Sequence, residues 1–192
     1  MPPKVKIGKE DIIKNALELC RKNGDGAINA RSIAASLGCS TQPIFSNFKS
    51  MEELDEAVIA RAHEVYLGFL ESEAKSKKYP KYKAFGMAYI RFAKEEKELF
   101  KMLFMCDRNE KALLPTSDFN EAVSIIADAN GISKEKAELM HLETWACTHG
   151  IATMMATSFL EFEWDFISDM LTDVYQGIRA RHLSEDKNGS RN

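Results

Sequence analysis

The tightest constraint on this chain is the run of apolar residues on either side of Gly38. Ile33, Ala34 and Leu37 recur at helical spacing before it, and Ile44 and Phe48 do so after it. Two short helices can therefore bury their inner faces in one small core. Gly38 follows the last apolar position of the first helix directly, where a left-handed residue commonly ends a helix. Ser40 or Thr41 can cap the second helix, with Pro43 near its first turn. Two helices joined by such a turn form a helix-turn-helix unit, whose second helix enters the major groove of DNA.

The flanking sequence extends this reading to an all-α chain of about nine helices. A first helix over residues 9–22 buries Ile12, Ile13, Ala16, Leu17 and Cys20, and the turn Asn23-Gly24-Asp25-Gly26 ends it. Asn29 caps the helix over 30–37, and the next covers 41–47. Ser50 caps a long fourth helix over 51–78, with Glu53 completing a capping box. Its inward stripe reads Leu54, Val58, Arg61, Ala62, Val65, Tyr66 and Phe69. A fifth helix over 81–94 carries Phe85, Ala88, Tyr89 and Phe92, and the apolar stretch 99–105 is assigned to the core of the body. Residues 107–118, with Pro115, read as a loop. Helices follow to Asn130-Gly131, from Ser133 to about 159, and over 164–182. The expected organisation is a helix-turn-helix head over 1–50, a connecting helix over 51–78, and a helical body over 79–183. A disordered tail is expected over the polar residues 184–192.

The charge distribution agrees with a head that meets DNA. Residues 1–50 hold eight Lys and Arg against four Asp and Glu, a net +4, which leaves −7 for the remainder of a chain whose total is −3. A basic head on an acidic body fits nucleic-acid contact by the head alone. No apolar run approaches the roughly 18–20 residues that span a bilayer, and no signal-type stretch follows the basic first residues, so a cytoplasmic location is expected. Cys20, Cys39, Cys106 and Cys147 lie far apart without metal-ligand spacing, which reads as reduced thiols and leaves a redox pair open.

At this point the sequence resembles the tetracycline-repressor (TetR) family of bacterial regulators. The resemblance rests on Ile13 and Ala16, on Ile33-Ala34 and Leu37-Gly38, and on Ser40. It continues through Ile44-Phe45, Phe48 and Lys49-Ser50-Met51-Glu52-Glu53-Leu54. Phe45 and Met51 depart from it, standing where the family usually has Tyr and Lys. A phosphate-bonding hydroxyl and a cation are thereby missing, so DNA binding is expected to be weaker or more salt-sensitive, unless Lys4, Lys6, Lys9 and Lys49 compensate. A second resemblance, carried by Trp145-Ala-Cys-Thr-His149-Gly150 and preceded by Leu99-Phe100-x-Met102-x-Phe104, points to the family's Trp-x-x-x-His-Gly type of C-terminal domain. It implies a ligand-binding bundle whose last two helices pair across a homodimer.

The candidate DNA contacts are Asn29, Arg31, Thr41, Gln42, Pro43, Phe45, Asn47 and Lys49. Gln and Asn can pair with adenine, and Thr and Pro can pack on a thymine methyl. Arg31 and Lys49 are phosphate candidates, with a plain surface role equally open. The candidate effector pocket is Phe85, Tyr89, Phe92, Met102, Trp145 and His149; ordinary core packing is the alternative for each. The candidate dimer face is Phe162, Phe166, Met170, Val174 and Ile178. His141, Trp145 and His149 share one stripe four residues apart, but the ligand number and second shell of a metal site are not visible, so neither a metal nor a cofactor is expected. The expected partners are palindromic double-stranded DNA, a small-molecule effector and a second copy of the chain, with no membrane. The expected role is a ligand-responsive regulator, most simply a repressor. A helical enzyme built on His141, His149, Glu143 or Glu138, and an interaction module that does not bind DNA, are the rival classes.

Overall fold

The computed structural model describes residues 7–105 and 117–189, in which nine α-helices and no strand occur. Lys4, Lys6, Cys106 and the expected loop as far as residue 116 lie outside the described residues. Chain contacts divide the molecule into two units, one of residues 7–67 with 96–105, the other of 68–95 with 117–189.

The first unit holds α1 (Lys9–Asn23), α2 (Ala30–Ser36), α3 (Gln42–Asn47), most of α4 (Met51–Ser76) and α6 (Lys97–Phe104). A 3-10 turn over Asp25–Ala27 follows α1. Local signals act as the sequence predicts. Asn29 accepts the Ser32 amide at 3.0 Å, Gly38 sits at φ +64°, and Ser50 Oγ accepts the Glu53 amide at 3.3 Å. Two caps differ. Thr41 occupies the N-cap of α3 in a helical conformation without a side-chain bond, so Pro43, which lacks an amide hydrogen, limits the unmet donors of that first turn. The Glu53 carboxylate accepts the Lys49 amide at 2.8 Å, one residue before the position that a reciprocal capping box requires.

The core of this unit joins Ile12, Ala16 and Cys20 of α1 with Ile33, Ile44, Phe48, Leu54, Val58 and Ala62, all essentially fully buried. The inward stripe of α4 is the i, i+4 series Leu54, Val58, Ala62 and Tyr66. Arg61, expected within the stripe, instead pairs with Glu10 at 2.7 Å and with Glu64 at 2.8 Å. The larger correction concerns residues 99–105. They were expected in the body, yet Leu99, Phe100, Met102 and Leu103 are buried in the first unit, with Cys20 Sγ 3.7 Å from Met102 Sδ. A bidentate pair from Arg21 to Glu96, at 2.9 and 2.8 Å, holds the start of α6 to α1.

The second unit contains the end of α4, α5 (Lys81–Glu95), α7 (Ser117–Asn130), α8 (Lys134–Ala156) and α9 (Trp164–Gly189). Helix α8 is central, packing on α5, α7 and α9. Its buried threonines, Thr144 and Thr148, donate to the carbonyls of Met140 and Thr144 at 2.8 Å, so their hydroxyls are satisfied without leaving the helix. Helices α5 and α9 meet closely at Gly86, where a Cβ would lie 3.0 Å from Leu171 Cδ1. Helix α9 does not stop at residue 183: it continues to Gly189, since neither Pro nor Gly interrupts 184–188 and polarity alone does not end a helix. Ser158, at φ +56°, stands in the break after α8.

Candidate nucleic-acid interface and effector site

Helix α3 is six residues long and owes its placement to the core side chains Ile44, 1% exposed, and Phe48, 2% exposed, just beyond its end. Anchoring at these positions turns Gln42, Phe45 and Ser46 outward, three or four residues apart on one face, and Lys49 is exposed beyond the end of the helix. Thr41 and Pro43 are half-buried at its flank, and Arg31 is exposed on α2.

Asn47 does not share that outer face. Its Nδ2 donates to the carbonyls of Pro43 at 2.7 Å and of Ile7 at 3.4 Å, so its amide hydrogens serve the fold of the unit. Ser46, absent from the sequence-derived candidates, takes its place on the outer face, a position recoverable by counting four residues on from Gln42. The Asn29 carboxamide is likewise engaged, capping α2 and donating to the Ala27 carbonyl at 3.4 Å. Lys9 pairs with Glu53 at 3.1 Å, and its ammonium sits 4.7 Å from the Phe48 ring centroid. A phosphate contact from Lys9 would have to compete with both interactions.

In the second unit, α5 and α8 bring Tyr89, Trp145 and His149 together. Tyr89 Oη lies 2.9 Å from His149 Nδ1, and the Trp145 and His149 rings stack with centroids 5.1 Å apart. When Tyr89 donates, the imidazole proton resides on Nε2, which faces Thr153 Oγ1 at 3.4 Å. Burial lowers the His149 pKa, favouring the neutral ring. Of the other pocket candidates, Phe92 packs edge-on against Phe69 at 5.4 Å and Phe85 is half-buried in the same unit. Met102 belongs to the first unit, against Cys20, because α6 buries its apolar face on α1.

A second Tyr–His pair lies on the same two helices. Tyr82 Oη is 2.9 Å from His141 Nδ1, and Phe119 meets His141 edge-on at 4.8 Å. Burial pushes the His141 pKa down to about 4. His141 therefore has aromatic neighbours that the spacing of residues along α8 did not indicate.

Of the dimer-face candidates, Phe166 is 53% exposed, and Phe162, Met170 and Val174 are half-buried. Ile178 packs within the unit, against the core of Val123, Ile126, Ala137 and Met140. The inward side of α9 is formed by Ile167 and Leu171. Phe159 and Leu160, in the break between α8 and α9, are 75% and 46% exposed.

These two units define a class of all-α proteins in which a helix-turn-helix head accompanies a larger helical unit. The fold is that of the TetR family of transcriptional regulators. A TetR-family member from Streptomyces coelicolor A3 superposes with a TM-score of 0.64 at 16% identity, over 86% of this chain and 96% of that one. A TetR-like transcriptional regulator from Rhodococcus sp. RHA1 gives 0.57, also at 16% identity, over 96% and 98%. No family model matches the chain, and no curated protein does. Among the described residues, no helix is long and apolar enough to cross a membrane.

Proposed function

We propose that this protein is a DNA-binding transcriptional regulator of the cytoplasm, acting as a homodimer on a palindromic operator. The observation that carries this reading is the outer face of α3, exposed because Ile44 and Phe48 anchor the opposite side. In a helix-turn-helix unit that face is the one presented to base edges. Gln42 and Phe45 supply contacts there, with Thr41 and Pro43 at its flank, Lys49 beyond its end, Arg31 toward the phosphates and the Asn29-capped start of α2 nearby. The net charge of +4 over residues 1–50 supports the same assignment.

The second unit is proposed as the effector-binding and dimerisation unit. A small apolar or amphipathic effector fits a site of aromatic walls and one neutral Tyr–His pair, formed by Tyr89, Trp145 and His149 with Phe85 and Phe92. Phe162, Phe166, Met170 and Val174 supply the self-pairing face. In this reading the effector favours a state in which two recognition helices no longer match successive half-sites, and α4, shared by both units, conveys the change. Such an effector must bind the two states with different affinity. Release from the operator makes the protein a repressor.

A gel shift of the purified protein on the DNA upstream of its own coding sequence tests the reading. A sequence-selective, salt-sensitive shift is expected. Absence of any selective shift at protein excess excludes it and favours an interaction module, the alternative that Phe45 and Met51 suggest by removing a phosphate-bonding hydroxyl and a cation.

A further inference from the structure

The outer face of α3 has an uneven division of chemistry. Ser46 donates its one hydroxyl hydrogen to the Gln42 carbonyl at 2.9 Å, and Asn47 turns its amide hydrogens inward to Pro43 and Ile7. Gln42 is then the residue of that face whose side chain offers both a donor and an acceptor to a base edge. Beside it, one helical turn on, Phe45 presents a bare ring, 55% exposed, while Phe48 three residues later is 2% exposed.

A phenyl ring at a phosphate would displace water from the anion and return no hydrogen bond. Among the base edges of the major groove, thymine alone carries an apolar group, its C5-methyl, and adenine alone matches a carboxamide with N6 and N7 together. We propose that Phe45 is a specificity-determining residue that packs on a thymine C5-methyl, adjacent to an adenine that Gln42 reads. The half-site then contains neighbouring A·T pairs at these two positions. In place of a lost phosphate anchor, Phe45 becomes a base reader. This inference rests on the DNA-reading function proposed above.

The experiment selects binding sites for the full chain from random-sequence duplexes, then replaces each thymine of the enriched half-site singly with deoxyuridine, which lacks the methyl. One replacement is expected to weaken binding about fourfold, the worth of one buried methyl. The same replacement should change binding of Phe45→Ala by less than roughly twofold, the scatter of independent contributions. Thermal melting should show Phe45→Ala folded, and the deoxyuridine series on the unaltered protein does not depend on any variant. If no replacement matters, or if Phe45→Ala retains the same sensitivity, the inference is overturned while the DNA-reading function stands. Tighter binding by Phe45→Tyr without a methyl effect would place the ring at the backbone and overturn it equally. A selection that enriches no sequence overturns the DNA-reading function itself.

Discussion

The hydroxyl of Tyr89 on α5 meets Nδ1 of His149 on α8 at 2.9 Å, and Tyr82 meets His141 on the same two helices at the same distance. A buried tyrosine, Tyr89, a half-buried one, Tyr82, and two histidines held neutral by burial thus satisfy one another across a single helix pair. Trp145 joins only the first of these pairs, by stacking on His149. That difference sets Tyr89–His149 apart as the pair with an indole stacked on its imidazole, whereas His141 meets Phe119 edge-on.

If the stacked indole binds the effector, Trp145→Ala should weaken effector-induced release of DNA by roughly 2- to 10-fold, the range set by loss of one aromatic stacking contact. A titration of effector against the protein–DNA complex measures this. An unchanged midpoint would remove Trp145 from the site. Tyr89→Phe should cost about 1 kcal/mol of stability, because it leaves Nδ1 of a half-buried ring without its donor.

The histidines also set a pH dependence. His141 has a folded pKa of about 4 against an ordinary value of 6.5, so between these limits the unfolded chain binds a proton that the folded protein refuses. Stability should therefore be full above about pH 6.5, fall as the pH drops toward 4, and gain no further loss from this group below that. His149 is shifted in the same direction. Urea denaturation at pH 7 and pH 4.5 should show a smaller loss for His141→Gln, which keeps an acceptor for Tyr82 but does not titrate. An identical loss would assign the acid sensitivity to other groups.

Phe45 and Phe48 stand three residues apart and should respond oppositely to truncation. Phe48→Ala opens a cavity in the head and should cost about 3–5 kcal/mol, whereas Phe45→Ala, at an exposed site, should cost less than about 0.5 kcal/mol. Denaturant unfolding followed by far-UV circular dichroism measures both. DNA binding should be lost together with the fold in Phe48→Ala, and weakened by only about fourfold in Phe45→Ala, whose fold is retained.

Self-association should depend on the exposed side of α9. Sedimentation velocity at micromolar concentration should show a dimer for the native chain and a monomer for Phe166→Glu, which places a charge on a 53% exposed apolar position without touching Ile167 or Leu171. A native chain that sediments only as monomer would exclude the dimer.

What the sequence determined by itself was local. Asn29 caps α2, Gly38 ends the following turn in the left-handed region, and Ser50 starts α4, because each depends on bonds within three or four residues. The 3.6-residue repeat likewise specified the all-α fold and the buried positions of α1. Tertiary structure decided what depended on distant partners. Residues 97–104 had to be buried somewhere, but only packing chose Cys20 and the head over the body. The engagement of Asn47 with Pro43 and Ile7, of Tyr82 with His141, and of Ile178 with the core of its own unit follows the same rule. Hydrophobic pattern states that a face is apolar; which surface covers it is set by shape and chain connectivity over the whole fold. At Gly38 both levels agree: the turn was local, and the face it exposes on α3 was completed by Ile44 and Phe48 closing the core beneath it.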